Sequence, residues 1–122
     1  MNLREKILVV DDEPTVCRAI AMMLVHMGYS VETAADGRSA LAKFTRGTFD
    51  LVMTDLSMPE MRGDELAVHI RQMKPSQKIV MVTAFAEEYR RDGMPNIDAL
   101  LDKPFTLADL KGVINQVLAR EG

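Results

Sequence analysis

Residues 51–66 read LVMTDLSMPEMRGDEL, an apolar run that ends in a carboxylate, Asp55, and passes at once into Pro59 and Gly63. A buried strand that stops at an acid and enters turn chemistry delivers that side chain to a surface crevice. Two more runs, ILVV at 7–10 and IVMV at 79–82, also lack the alternation of a half-exposed strand. Unbroken apolar runs of this length mark strands covered on both faces, which is the situation of a parallel sheet. SVETA at 30–34 does alternate and reads as an edge strand, and ALL at 99–101 supplies a short fifth strand.

Helices must cover those faces. Cys17, Ile20, Ala21 and Leu24 fall on one helical stripe, as do Leu66, Ile70 and Met73, and Leu107, Leu110, Ile114 and Val117. Pro14 suits a first helical position, Gly28 follows the first stripe, and TLAD at 106–109 has the form of a capping box with Asp in place of Glu. Five strands alternating with five helices predict a three-layer α/β sandwich with right-handed crossovers.

The composition narrows the function. At 122 residues the chain is read as one domain over 1–122, with no output domain in these residues and a core large enough to stand without disulfides. A formal charge of -3, with no Lys/Arg cluster beyond Arg90-Arg91, excludes the basic footprint of a direct nucleic-acid binder. The single cysteine, Cys17, excludes an intramolecular disulfide. No amino-terminal signal and no 18-residue apolar span is present, so a cytoplasmic location without membrane contact is expected.

In open α/β sheets ligands bind beyond the carboxyl ends of the strands. The residues there are Asp11, Asp12 and Glu13 after the first run, Asp55 after the third strand, Thr83 after the fourth and Lys103 after the fifth. Carboxylates brought together repel unless they share a cation, and an all-oxygen donor set without His or Cys suits Mg²⁺ or Mn²⁺. A divalent ion, an ammonium group and a hydroxyl donor together stabilise a transferring phosphoryl group. Aspartate serves as nucleophile in proteins that pass through an aspartyl phosphate. Asp55 is the expected phosphoacceptor.

ILVVDDEP at 7–14, DLVMTDLSMPEMRG at 50–63, IVMVTAF at 79–85 and LLDKPF at 100–105 resemble the successive signatures of response-regulator receiver domains, the CheY-like superfamily of two-component signalling. Spacings of 43, 28 and 20 positions separate Asp12, Asp55, Thr83 and Lys103, and the resemblance covers essentially the whole chain. It implies a flavodoxin-like fold with strand order 2-1-3-4-5. It implies that Asp12 ligates the metal with Asp11 supporting it through water, that the Ser57 backbone carbonyl joins Asp55 in the metal shell, and that Lys103 pairs with Asp55 and then with the phosphoryl oxygens. Thr83 would swing its hydroxyl onto the phosphate, Ser57 and Phe85 would modulate attack by water, and the Lys103-Pro104 peptide would be cis. The implied partners are a histidine kinase or histidine phosphotransfer protein, docking through the first helix and the loop after the fifth strand, and an effector or covalently linked output domain outside this chain.

Two departures stand out. Receivers commonly carry Tyr or Phe three positions before the lysine, as the aromatic half of the switch, and this chain has Leu100. The stretch from Thr83 to Lys103 is about two residues shorter than the family's, and RRDGMPN at 90–96 predicts a short fourth helix, roughly Ala86 to Asp92. Because that helix belongs to the usual dimerisation face, the sequence leaves the oligomeric state open.

The individual residues also have blander roles. Asp11, Asp12 and Glu13 could cap the first helix. Met22, Met23, Met53, Met73 and Met81 are expected as core filler and Met58 and Met61 as loop packing, with His26 and His69 on helix surfaces and Cys17 inert in the core. Three other functions compete. A Mg²⁺-dependent phosphohydrolase of the haloacid dehalogenase type would need Asp where Ser57 stands, and a flavin carrier would need a phosphate loop where DDEP stands. A docking scaffold that takes no phosphate is opposed by the complete set of Asp11, Asp12, Asp55, Thr83 and Lys103.

Overall fold

The computed structural model describes residues 4–118. Its elements run β1 Lys6–Val10, α1 Pro14–His26, β2 Ser30–Ala34, α2 Gly37–Arg46, β3 Leu51–Asp55, α3 Gly63–Met73, β4 Ile79–Thr83, α4 Ala86–Arg91, β5 Ala99–Asp102 and α5 Leu107–Val117. The sheet is parallel throughout, in the order β2-β1-β3-β4-β5.

The apolar runs are apolar at every position because both faces are covered. Ile7, Val9, Leu51, Met53, Val80 and Val82 pack with Cys17, Ile20 and Leu24 of α1 and Leu110, Val113 and Ile114 of α5. The intervening residues Leu8, Val10, Val52 and Ile79 pack with Ala40 and Phe44 of α2 and Leu66, Ala67 and Ile70 of α3. Each fully buried Leu or Ile contributes about 1.5–3 kcal/mol relative to exposure, so these two layers fix the strand register. Among the predicted fillers, Met53 and Met81 are buried but Met22 is 66% and Met73 47% exposed. Met22 lies beside the buried stripe of α1, whereas Met73 continues the stripe of α3 but is the last residue of that helix.

The capping signals take their predicted places. Pro14 opens α1, and Thr106 and Asp109 exchange hydrogen bonds at the start of α5, with Thr106 Oγ1 accepting from Asp109 N at 3.1 Å and the Asp109 carboxylate accepting from Thr106 N at 2.9 Å. α2, with no stripe assigned from the sequence, is capped by Asp36, which accepts from Ser39 N at 2.7 Å.

α4 is short, as RRDGMPN predicts. Its Tyr89 N and Asp92 N bonds to Phe85 O and Glu88 O are stretched to 3.3 Å, and Gly93, Met94 and Asn96 beyond it all have positive φ. The loop into β5 is then tied at two points. Tyr89 Oη donates to the Pro95 carbonyl at 2.9 Å, and the Asp98 carboxylate accepts from Ile79 N and Arg71 Nη2, both at 2.7 Å.

The β3–α3 connection is tight. Met61 N donates to Pro59 O at 2.8 Å across Glu60, which takes φ 69°, and Gly63 N donates to Leu56 O at 2.9 Å. This places the first residue of α3 directly against the backbone of Asp55 and Leu56.

Candidate functional site

The register of the sheet assembles the site. Val10 lies opposite Thr54, Asp55 opposite Val82, and Thr83 opposite Asp102, so the chain leaves β1, β3, β4 and β5 at one edge. Asp11 N continues the β1–β2 ladder to Ala34 O at 3.1 Å, and Lys103 N continues the β4–β5 ladder to Thr83 O at 3.0 Å. These extra rungs hold the backbone of Asp11 and Lys103 as firmly as if they were strand residues.

Asp11, Asp12 and Asp55 each present a carboxylate oxygen, and the three oxygens lie within 4.8 Å of one another. Asp11 is 2% and Asp55 8% exposed, while Asp12 is half-buried. Lys103 Nζ stands 3.1 Å from Asp55 Oδ1 and 3.4 Å from Asp11 Oδ2. Glu13 is exposed at the start of α1 and lies outside the cluster. No side chain caps α1; Asp11 Oδ1 instead accepts from Glu13 N at 2.9 Å in the turn before the helix, while Oδ2 faces the ammonium group.

Burial raises the Asp55 pKa above the ordinary carboxylate value; Lys103 opposes this, and Asp11 and Asp12 add to it. For Lys103 burial acts against the charged form, but the attraction of Asp55 and Asp11 outweighs it and the pKa is raised. The ammonium group is therefore charged across the neutral range. Three carboxyl groups share one ammonium group, and the donors are all oxygen. That charge and donor chemistry fit a hard divalent cation such as Mg²⁺.

Thr83 is buried, and its Oγ1 accepts from Phe85 N at 2.9 Å, a bond that leaves the hydroxyl proton uncommitted. Ser57 is exposed in the loop after β3, and Phe85, at 52% exposure, holds its ring at the surface. Leu100 is half-buried on β5, and the Lys103-Pro104 peptide is cis. Cys17 lies in the core, where burial raises its thiol pKa, and His26 and His69 are exposed on helices. A crevice of about 500 Å³ runs beside Asp11 between α1, β2 and α2, with Arg18, Ser39 and Lys43 at its walls.

Two residues that matter to this site were not singled out in the sequence. A Cβ on Gly63 would fall 2.1 Å from the Asp55 carbonyl oxygen, so only glycine lets α3 approach β3 this closely. Its signal was the Gly that closes the quoted DLVMTDLSMPEMRG. Tyr89 is the other: it is buried under α4 and packs with Leu56, the neighbour of Asp55. An isolated Tyr between charged residues carries no sequence signal of that kind.

The sequence profile of the response regulator receiver domain matches residues 7–115. The chain is 42% identical over 107 residues to the sensor histidine kinase RcsC of Salmonella typhi, a match covering 86% of this chain but 11% of the kinase. It is 34% identical over 125 residues to the chemotaxis protein CheY-3 of Vibrio cholerae, covering 98% of this chain and 96% of that protein. Among solved structures, the response regulator protein TrrA of Thermotoga maritima, in complex with Mg²⁺ and a beryllium fluoride, superposes with a TM-score of 0.87 at 38% identity, covering 93% of this chain and 99% of the other.

Proposed function

The chain belongs to the family of response regulator receiver domains, and we propose that it accepts a phosphoryl group on Asp55 in a Mg²⁺-dependent reaction and signals by the change in shape that follows. A receiver domain is a signalling component, and in this reading the chain catalyses only its own phosphorylation and slow dephosphorylation. Residues 1–122 act as one such domain in the cytoplasm.

The observation that carries the proposal is the trio of carboxylates, two of them buried, with Lys103 bridging Asp55 and Asp11. An oxygen of Asp55 forms the new P–O bond while the P–N bond of a phosphohistidine breaks and the imidazole leaves with the electron pair. Lys103, released from Asp55 as that carboxylate becomes an acyl phosphate, pairs with the phosphoryl oxygens, and Thr83 donates its free hydroxyl proton to one of them. Asp12, Asp55 and the Ser57 carbonyl, with Asp11 in support, would hold Mg²⁺, which when bound would supply positive charge for the developing phosphoryl group.

Histidine kinases or phosphotransfer proteins are the proposed donors. The outer face of α1 offers them an apolar patch of Ala21, Met22 and Val25 flanked by Arg18 and His26. The output face, with an effector or a linked domain as its target, comprises α4, β5 and α5.

Incubation with Mg²⁺ and acetyl phosphate is expected to add one phosphoryl mass to the intact chain, and a chelator or Asp55→Asn to abolish the gain. No gain in a folded sample, across several small donors, would leave a docking scaffold as the better account. The exposed Phe85 ring bears on the lifetime of the product. Phe85→Ala is expected to shorten the phosphoryl half-life, followed by mass after donor removal, because the ring shields the anhydride from water. A longer half-life in the variant would refute that role.

A further inference from the structure

Leu100 removes the aromatic group expected on β5, yet the space between α4, β4 and β5 is not without an aromatic ring. Tyr89 of α4 is buried there in one cluster with Leu56 and Met81, against which Met94, Ile97 and Leu100 are packed. The cluster joins the residue that follows Asp55, the middle of β4, the loop after α4 and the position that Leu100 occupies. Tyr89 is the one aromatic member of this cluster.

We propose that Tyr89 relays phosphorylation at Asp55 to the α4–β5 face, an inference that rests on the phosphoacceptor role proposed above. Its starting point is Thr83, whose Oγ1 accepts from Phe85 N at 2.9 Å. Phe85 is the N-cap residue of α4, and its carbonyl accepts from Tyr89 N at 3.3 Å. Tyr89 Oη in turn donates to Pro95 O at 2.9 Å, in the loop that leads into β5. One chain of hydrogen bonds therefore runs from the strand end beside Asp55, through the first turn of α4, to the far side of that helix.

Displacement of Thr83 Oγ1 toward a phosphoryl group costs Phe85 N its acceptor at the point where α4 begins. α4 offers little resistance, being six residues long with stretched hydrogen bonds. It is held to the body by the buried Ala86, by the Tyr89 ring and hydroxyl, and by the Arg90–Asp102 ion pair at 3.5 Å. A shift of the first turn moves the ring against Leu56 and Leu100 and weakens the bond to Pro95. Gly93, Met94 and Asn96, already at positive φ, leave the segment beyond α4 with no regular hydrogen-bond ladder to restrain it. Asp98, anchored to Ile79 and Arg71, limits the motion to the residues before it. Tyr89 acts through Thr83 and touches no reacting atom, so it is a positioning residue of the switch.

The chain has two tyrosines and no tryptophan, so Tyr29→Phe leaves Tyr89 as the sole source of tyrosine emission. Emission and intact mass are followed on the same Tyr29→Phe sample after Mg²⁺ and acetyl phosphate. Tyr89 emission is expected to change with the same time course as the mass, and to stay constant when Asp55→Asn is added. A full phosphoryl gain with unchanged emission would overturn the relay and leave the phosphoacceptor role standing, whereas no mass gain would overturn both. A second variant separates relay from packing. Tyr89→Phe keeps the ring and removes the bond to Pro95, and is expected to be phosphorylated at a rate within about twofold of wild type. Before phosphorylation, its backbone amide signals over 94–97 are expected to lie on the line between the unphosphorylated and phosphorylated wild-type positions. Signals displaced off that line would assign Tyr89 to packing alone.

Discussion

Asp55→Asn is expected to abolish phosphorylation and, in metal-free buffer at neutral pH, to make the protein more stable. Asp55 is buried with Asp11 and Asp12 around a single ammonium group, so the ionised carboxylate is held against a local excess of negative charge. Asparagine keeps the shape and an oxygen acceptor for Lys103 while removing one charge. Lys103 retains Asp11 as a partner at 3.4 Å, so no unpaired cation is left behind. The gain is expected on the order of 1 kcal/mol by urea denaturation.

The pH dependence follows from the direction of the shift. The folded Asp55 carboxyl holds its proton more tightly than the unfolded one, chiefly through burial. Between the ordinary carboxylate value and the raised folded value the native state binds more protons, so stability falls as pH rises through that window. The advantage of Asp55→Asn is therefore expected to be complete above the window and to vanish as pH falls to the ordinary carboxylate range. Lys103 adds no slope there, because its raised pKa keeps it charged in both states until pH passes the ordinary lysine range. Mg²⁺ is expected to stabilise wild type more than the variant, by mass action on the native state. A variant less stable than wild type in a chelator would show that Asp55 supports the fold as a charge.

Gly63→Ala is expected to be the more damaging substitution for the fold. The added methyl carbon would lie 2.1 Å from the Asp55 carbonyl oxygen, 2.9 Å from its carbonyl carbon and 3.0 Å from Leu56 Cα. All three are backbone atoms, so no rotamer change relieves the clash and α3 must retreat from β3. A loss of about 3 kcal/mol is expected. Because the retreat of α3 pulls on the short connection that leaves Asp55, the rate of phosphoryl gain is expected to drop by about 10²-fold in the fraction that stays folded. Gly112→Ala is the matched control: it lies inside α5 with nothing within 4 Å of the new methyl, and should gain about 0.5–1 kcal/mol from helix propensity. Equal behaviour of the two variants would remove the close approach as the cause.

The parts of this structure that were legible in the sequence are those set by local chemistry. Three strands could be placed because burial on both faces leaves no polar residue in their middles, and SVETA showed its edge position by alternating. The ends were less clear: β3 continues through Thr54 to Asp55 and β1 begins at Lys6, since a strand end tolerates polar residues that reach solvent or a partner. The short α4 followed from Gly93 and Pro95, whose backbone preferences act within a turn. The carboxylates and Lys103 could be assigned to one edge because a parallel sheet puts every strand's carboxyl end on the same side. Met22 was misjudged because one residue of rotation on a helix decides burial, and Met73 because it is the last residue of α3, where a place on the stripe no longer ensures cover. Tyr89 and the reason for Gly63 were hidden because each depends on a neighbour from another element: Leu56 and Pro95 for Tyr89, the Asp55 carbonyl for Gly63.

The even register of the four strands that end at the site has a consequence for how the molecule is made. Asp11 and Lys103 meet through a contact that spans 92 positions of chain, and Asp55 joins Lys103 across 48. Contacts of such range between side chains close only after the strands that carry them have docked, and long-range contacts are slow to form in folding. A chain still on its way to the native state, or one whose last strand has not docked, holds the acidic residues without the ammonium group that completes them. The pairing of Lys103 with the acidic residues is thus expected to be among the last features of the fold to form.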